Sequence, residues 1–151
     1  MRKRWELSNL SAKRAEALEQ LCDEFRVDIM YAFGSRADEV RGWLMGDCST
    51  LAPDAGDVDL GVKTRYGVQP SVHDKVRLTL ALEDLLGVKR VDLVCLDEAD
   101  PFLAANIIRG ERLYTCDTYQ ADEYDLYVLR RAGDLAPLER ERMALVLGEG
   151  K

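Results

Sequence analysis

An apolar segment that ends in a Gly-Ser pair is the sequence feature that most restricts the fold of this chain. Residues 27–33 form an apolar run that predicts a β-strand. Gly34 and Ser35 break the run, and a short helix is predicted over 36–44. A sharp turn between a strand and a helix leaves free backbone N–H groups, and here also a serine hydroxyl, at the helix N-terminus. Such a turn favours the binding of an anion.

Two aspartates two residues apart follow in a second predicted strand, which covers 57–63. Side chains alternate between the faces of a strand, so Asp57 and Asp59 share one face at a separation of about 6.6 Å. Val58 and Leu60 point to the other face. An anion site beside two hard oxygen ligands is what phosphate chemistry with bound magnesium requires.

A third aspartate, Asp92, lies inside another apolar run, where a third strand is predicted over 90–96. A charge that points out of a central strand is costly unless it is paired or binds a metal. A Gly-Ser pair alone is typical of an ordinary turn, and an Asp-x-Asp pair alone is typical of a solvated loop. Their combination with an acid inside a further strand favours a metal-nucleotide site, and a decayed or purely structural version is the alternative.

These motifs resemble the signature of the nucleotidyltransferase superfamily related to DNA polymerase β, in which Gly-Ser is followed by Asp-x-Asp and by a third acid on a neighbouring strand. The chain is expected to lack the extra domains of the tRNA-tailing and poly(A)-adding members, because it has 151 residues. It is similar to the minimal nucleotidyltransferases (MNT proteins), especially the MNT antitoxins of HEPN–MNT toxin–antitoxin pairs. The stretch 106–114 (NIIRGERLY), followed by a charged terminal helix, supports this resemblance.

The resemblance implies an adenylyltransferase that carries AMP from ATP to a tyrosine of a cognate HEPN ribonuclease toxin and so neutralises it. The residues expected to hold two Mg²⁺ ions and to catalyse the transfer are Asp57, Asp59 and Asp92. Asp92 is also the expected acceptor of the hydroxyl proton. The residues expected to bind the phosphates of ATP are Gly34, Ser35 and Arg36. A hetero-oligomer with the toxin is the implied assembly.

The spacing of the motif departs from that resemblance. Residues 36–56 separate Ser35 from Asp57, which is 21 residues. Family members usually place about ten residues there, so the loop over about 46–56 is interpreted as an insertion, which chains tolerate at modest entropic cost. The insertion leaves open which substrate the site accepts, and it bears less on the reaction that the motif residues would catalyse.

Two other functions remain open at this stage. The first is transfer to a small hydroxylated molecule, as in the antibiotic-type nucleotidyltransferases. Those enzymes usually carry a larger C-terminal domain, and the residues after Cys116 leave little room for one. The second is a non-catalytic antitoxin that neutralises its toxin by binding alone. Retention of the three acids weighs against that function.

Composition limits the partners of the chain. The formal net charge of −7 argues against stable binding to nucleic acid, which requires clustered Lys and Arg. No apolar run approaches the length of a membrane helix. The four cysteines are scattered without a C-x-x-C pair, and the single histidine, His73, has no partner at metal-ligand spacing. We therefore expect a cytoplasmic protein without a zinc site or a membrane anchor.

The alternation of predicted helices and strands indicates an α/β (α+β) fold, with a small mixed sheet and helices packed mainly on one side. The whole chain, 1–151, is expected to form a single minimal nucleotidyltransferase domain. The side chains expected to form the buried face of a helix over 71–86 are Val72, Val76, Leu80 and Leu86. Residues 118–147 are expected to form two C-terminal helices, 118–131 and 137–147, on either side of Gly133.

Overall fold

A computed structural model describes the backbone of residues 4–52 and 55–147, and the side chains of 9–52 and 55–146. The helices of the described chain are α1 (Arg4–Glu24), α2 (Ala37–Leu44), α3 (Val72–Leu86), α4 (Pro101–Ile108) and α5 (Thr118–Leu147). The strands are β1 (Val27–Phe33), β2 (Val58–Thr64), β3 (Val91–Cys95) and β4 (Glu111–Thr115). Short 3₁₀ turns cover Gly34–Arg36 and Leu96–Glu98. In the described ranges no helix is both long enough and apolar enough to cross a membrane.

The strands form one mixed sheet in the order β3-β2-β1-β4. β1 is antiparallel to both of its neighbours, and β2 is parallel to β3. The mixed α/β fold class and the bounds of β1 are confirmed. Strand β4 lies at an edge of the sheet, and in the described chain β1 is the only strand that pairs with it.

Helices cover both faces of the sheet, which corrects the expectation that they pack mainly on one side. Met30 and Ala32 of β1 belong to a buried cluster with α1, α2 and α3. Tyr31 and Phe33, on the opposite face, belong to a second buried cluster with α4 and α5. A strand that is apolar on both faces needs cover on both, and this is why β1 reads as a continuous apolar run.

Helix α3 begins and ends where its capping residues predict. The Ser71 hydroxyl accepts from the Asp74 backbone N–H at 3.1 Å, and the Asp74 carboxylate accepts from the Ser71 N–H in return. Gly87 ends the helix in a left-handed conformation with φ of 69°.

The expected buried face of α3 is wrong at three of its four positions. The exposed fractions of Val72, Val76 and Leu80 are 77%, 51% and 56%. The sheet is instead contacted by the buried side chains of Leu78, Leu82 and Leu86. Both sets recur every four residues, but they lie on opposite sides of the helix, and only one set can face the sheet.

Residues 118–147 form one continuous helix, α5, with Pro137 inside it, so the expectation of two helices is wrong. Proline removes one backbone hydrogen bond and its ring crowds the carbonyl four residues earlier. That earlier residue is Gly133, and the sequence around it is rich in strong helix formers, which favours a continuous helix. Ala121, Val128 and Ala132 are the buried contacts of α5 in the second cluster.

Gly61 in β2 allows helix α4 to approach the sheet closely. A Cβ atom placed at Gly61 would lie 2.5 Å from the Ile107 side chain of α4. Ile107 is fully buried, so it has little freedom to move away.

We expect Gly61→Ala to lower the free energy of unfolding by about 1–3 kcal/mol, because the added methyl group overlaps Ile107. Gly133→Ala is the matched control. An added Cβ meets no atom within 4 Å there, and alanine favours a helix, so we expect a gain of about 0.5–1 kcal/mol. Urea denaturation followed by circular dichroism measures both. Equal effects of the two substitutions would contradict the close contact between α4 and β2.

Candidate active site

The turn after β1 brings the backbone of Gly34 against a carboxylate of the next strand. Gly34 has a φ of 75°, a conformation that side chains other than glycine rarely adopt. A Cβ atom at Gly34 would overlap the Oδ2 atom of Asp59. The side chain of Ser35, the next residue, is exposed. The glycine therefore serves two purposes, because it permits the turn and leaves room for the Asp59 carboxylate.

The pairing of the strands brings the three predicted acids to one place. Phe33 at the end of β1 pairs with Asp59, and Asp59 pairs with Asp92 across the parallel strands β2 and β3. Neighbouring strands lie about 4.8 Å apart, so Asp59 and Asp92 are side by side on one face. Asp57 precedes the first residue of β2 and lies two positions before Asp59. The structure thus places Gly34 and all three acids at one end of the sheet.

The site carries negative charge that the protein hardly compensates. In the described chain, the side chains of Asp59 and Asp92 take part in no hydrogen bond or ion pair. Asp57 lies 3.7 Å from the Nε atom of Arg90, and both of these side chains are exposed. Burial, and then the charges of Asp92 and Asp57, raise the pKa of the Asp59 carboxyl above its ordinary value.

The chemistry of this donor set fits a divalent cation. Carboxylate oxygens are the ligands that Mg²⁺ prefers, and these carboxylates have almost no other partner in the described chain. Within the described ranges, no three His, Cys, Asp or Glu side chains converge tightly enough to enclose one ion. Like charges repel one another, and this repulsion opposes such convergence unless a cation compensates it.

Arg36, the third residue predicted to bind phosphate, makes its contacts elsewhere. Its guanidinium is 4% exposed and donates two hydrogen bonds to Glu39, at 2.9 and 2.8 Å. It donates two more to the carbonyl oxygens of Ala52 and Gly56, at 2.6 and 2.7 Å. These contacts join the inserted loop to α2 rather than to a phosphate. Phosphate binding by Gly34 and Ser35 remains a prediction.

A second buried arginine holds the other part of the inserted loop. Arg14 of α1 donates to the carbonyl oxygens of Trp43, Cys48 and Ser49 at 2.5, 2.7 and 2.6 Å. Leu51 is buried in the cluster that α1 and α2 share. The described part of the loop therefore packs against α1 and α2.

Sequence reasoning missed the contributions of Arg14 and Glu39. One signal for Arg14 was available, because it precedes Leu18 and Cys22 at intervals of four residues and so lies in line with two core positions of α1. Glu39 gives no comparable signal, since an acid in the first turn of a helix is ordinary. Its partners are a neighbouring arginine and a distant backbone amide, Ala52 N–H.

A model of the family "Polymerase beta, Nucleotidyltransferase" matches residues 16–119 of the chain. The matched segment begins in α1 and runs through the Gly-Ser turn, the three acids and β4. The chain therefore belongs to the polymerase beta nucleotidyltransferase family. It is a nucleotidyltransferase.

The fold is similar to several solved structures. A chain of a toxin–antitoxin complex with AMP-PNP has a TM-score of 0.64 at 16% identity, with 91% of this chain and 98% of that chain covered. A chain of a tri-AMPylated Shewanella oneidensis HEPN toxin in complex with MNT antitoxin has a TM-score of 0.60 at 19% identity, with 93% and 99% covered. A chain of the toxin–antitoxin MntA-HepT gives the same four values. At these identities the similarity establishes the fold. No curated protein matches the sequence significantly.

Asp125 of α5 is a useful contrast to the acids of the site, because its carboxylate is fully partnered. It accepts a hydrogen bond from the hydroxyl of Tyr31, which is buried in β1. It also pairs with Arg112 of β4 at 2.7 Å. This carboxylate has a structural role, whereas that of Asp59 has none that the described contacts reveal.

We expect Asp59→Asn to raise the free energy of unfolding at pH 7 by up to about 0.5 kcal/mol, because it removes repulsion from Asp57 and Asp92 in a site open to solvent. We expect Asp125→Asn to lower it by about 1–3 kcal/mol, because it weakens the bonds with Tyr31 and Arg112. Chemical denaturation at pH 7 measures both. A substantial loss of stability in Asp59→Asn would mean that this acid supports the fold.

Proposed function

We propose that this protein is an antitoxin that transfers AMP from ATP to a tyrosine hydroxyl of a cognate HEPN ribonuclease toxin. Residues 1–151 act together as one minimal nucleotidyltransferase domain. The observation that carries the proposal is the group of three nearly uncompensated carboxylates beside the Gly34 turn, in a chain of the nucleotidyltransferase family. Support for the partner comes from the fold, which is similar to chains of toxin–antitoxin complexes over most of its length.

The residues that would hold two Mg²⁺ ions are Asp57, Asp59 and Asp92. Magnesium in such a site neutralises charge on the attacking and leaving oxygens of the reaction. Asp59 and Asp92 lie on adjacent paired strands and Asp57 directly precedes β2, so little reorganisation of their backbone is needed during the reaction.

The residues of the turn would bind the nucleotide. Gly34 has no side chain, so the phosphates can approach its backbone. The exposed hydroxyl of Ser35 can donate a hydrogen bond to a phosphate oxygen. Binding at this turn places the triphosphate next to Asp59, whose carboxylate packs against Gly34.

In the transfer step, the tyrosine oxygen attacks the α-phosphorus of ATP. A phosphorus–oxygen bond forms to the tyrosine, and the bond to pyrophosphate breaks. Asp92 accepts the hydroxyl proton, since it is an exposed carboxylate that has no competing partner in the described chain. The product is an AMP-modified toxin and free pyrophosphate.

The acceptor is proposed to be a protein rather than a small molecule or a nucleic acid. Helix α5, which follows β4, packs against α4, and solved structures of similar fold include chains of toxin–antitoxin complexes. The net charge of −7 disfavours a nucleic-acid acceptor. We further propose that the protein forms a hetero-oligomer with its toxin in the cytoplasm.

Labelling of the partner tests this function. The protein is incubated with Mg²⁺, ATP labelled at the α-phosphate and the protein encoded by the neighbouring gene, and the label is followed on a gel. We expect Asp57→Asn and Asp92→Asn each to reduce transfer at least about 100-fold, because they remove a metal ligand or the proton acceptor. Asp84→Asn is the matched control, since this exposed acid of α3 lies outside the site and should leave transfer unchanged.

The outcomes separate the candidate functions. Label on the partner that is lost in Asp57→Asn supports protein adenylylation. Tight association without label would favour neutralisation by binding alone. Absence of both would favour a small hydroxylated acceptor and would refute the antitoxin proposal.

A further inference from the structure

Arg36 is a buried charge with a complete set of partners. Its guanidinium contacts the Glu39 carboxylate with two hydrogen bonds, in the fork geometry that gives such pairs their directionality. The bond with Glu39 raises the pKa of Arg36, and the bond with Arg36 is the main cause that lowers the pKa of Glu39. Both groups are therefore charged at neutral pH.

The pair holds the backbone on the N-terminal side of the first acid. Arg36 donates to the carbonyl of Gly56, the residue that directly precedes Asp57. It also donates to the carbonyl of Ala52, while the Ala52 N–H donates to Glu39 at 2.9 Å. Three backbone groups of the inserted loop are thus bound by one ion pair of α2 and the turn before it.

The backbone on the C-terminal side of Asp57 is held by the sheet. The Val58 N–H donates to the carbonyl of Arg90 at 3.1 Å, where β2 begins to pair with β3. Asp57 lies between these two points of attachment, and its side chain is exposed. Fixing both neighbours of a residue restricts its backbone angles and so the region that its carboxylate can reach.

We propose that Arg36 and Glu39 are positioning residues that hold Asp57 where its carboxylate can share a divalent cation with Asp59 and Asp92. The proposal rests on the proposed role of Asp57 as a metal ligand. Arg36 thereby acts on the site through the backbone of Gly56 rather than through a contact with phosphate. Replacing a residue that orients a metal ligand without touching the metal commonly weakens the affinity for that metal 10–100-fold.

Arg14 supplies the matched control for this role. It is also a buried arginine that donates to backbone carbonyls of the segment between α2 and β2. Among the described residues, the carbonyls to which it donates extend as far as Ser49, eight positions before Asp57. A role in positioning Asp57 therefore predicts that Arg36 and Arg14 differ in their effect on the metal, although both stabilise the fold.

The test measures binding of Mn²⁺ alone by electron paramagnetic resonance, in the full chain and at a temperature where each variant is folded. We expect Arg36→Lys, which loses the fork with Glu39, to raise the dissociation constant for Mn²⁺ about tenfold. Arg14→Lys should change that constant less than about twofold. We expect both substitutions to lower the melting temperature. Glu39→Gln, which keeps an acceptor for Ala52 N–H but loses the charge, should weaken Mn²⁺ binding in the same direction as Arg36→Lys.

A second readout follows the backbone directly. Hydrogen exchange of the Val58 amide should be faster in Arg36→Lys than in the native protein, and unchanged in Arg14→Lys. If Arg36→Lys does not fold, Glu39→Gln carries the same measurement. Unchanged Mn²⁺ affinity in the folded variants, or an equal loss in Arg14→Lys, would refute the positioning role.

The failure of this inference can be separated from failure of the proposed function. If the native protein labels no partner but Arg36→Lys still loses Mn²⁺ affinity and Arg14→Lys does not, the positioning role stands and the antitoxin function falls. If the native protein binds no Mn²⁺, the metal role of Asp57 and the positioning inference fall together.

Discussion

The register of three neighbouring strands is the constraint on which the site depends. Phe33 pairs with Asp59, and Asp59 pairs with Asp92. A slip of one residue would turn Asp59 into the cluster that contains Val58 and Leu60, where an unpaired charge is costly. The hydrophobic core thus specifies the location of the charged site.

The uncompensated acids of the site lower the stability of the fold. No buried side-chain nitrogen or oxygen of the described chain lacks a hydrogen-bond partner, so the unpartnered carboxylate of Asp59 is one that solvent reaches. Asp125, which is half-buried, has both a hydroxyl and a guanidinium as partners. Asp59 is half-buried as well and has neither. The same protein therefore treats two similar carboxylates differently, and this difference is the physical argument that the acids of the sheet serve chemistry.

Local signals in the sequence were sufficient for the elements that carry the site. The apolar run of β1 and the glycine that follows it predict both ends of the strand correctly. Ser71 and Gly87 likewise predict the two ends of α3. The Asp-x-Asp spacing and an acid in the third strand predict a site of three carboxylates. The strand pairing places Asp59 beside Asp92, and the role of the three acids as metal ligands remains a prediction.

The remaining features depend on contacts that no local pattern contains. The choice between two apolar stripes of α3 depends on where the sheet lies. The continuity of α5 through Pro137 accompanies its packing against α4, a contact that the sequence of the helix alone does not contain. The described carbonyls to which Arg14 donates are 29 to 35 positions away along the chain.

The inserted loop shows how a chain can lengthen the connection between two parts of a site without separating them. The insertion is polar, so it has few apolar side chains to bury and Leu51 is its principal hydrophobic contact. Its backbone carbonyls still require donors where they pack against the protein. Two arginines supply several donors each from a fixed fork, at the cost of burying their charge. Arg36 directly follows the Gly-Ser pair and lies at the N-terminus of α2. Its hydrogen bond to the Gly56 carbonyl holds the backbone that directly precedes Asp57. The hydrogen bond between Arg36 and Gly56 therefore bridges the long segment that separates Ser35 from Asp57 along the chain.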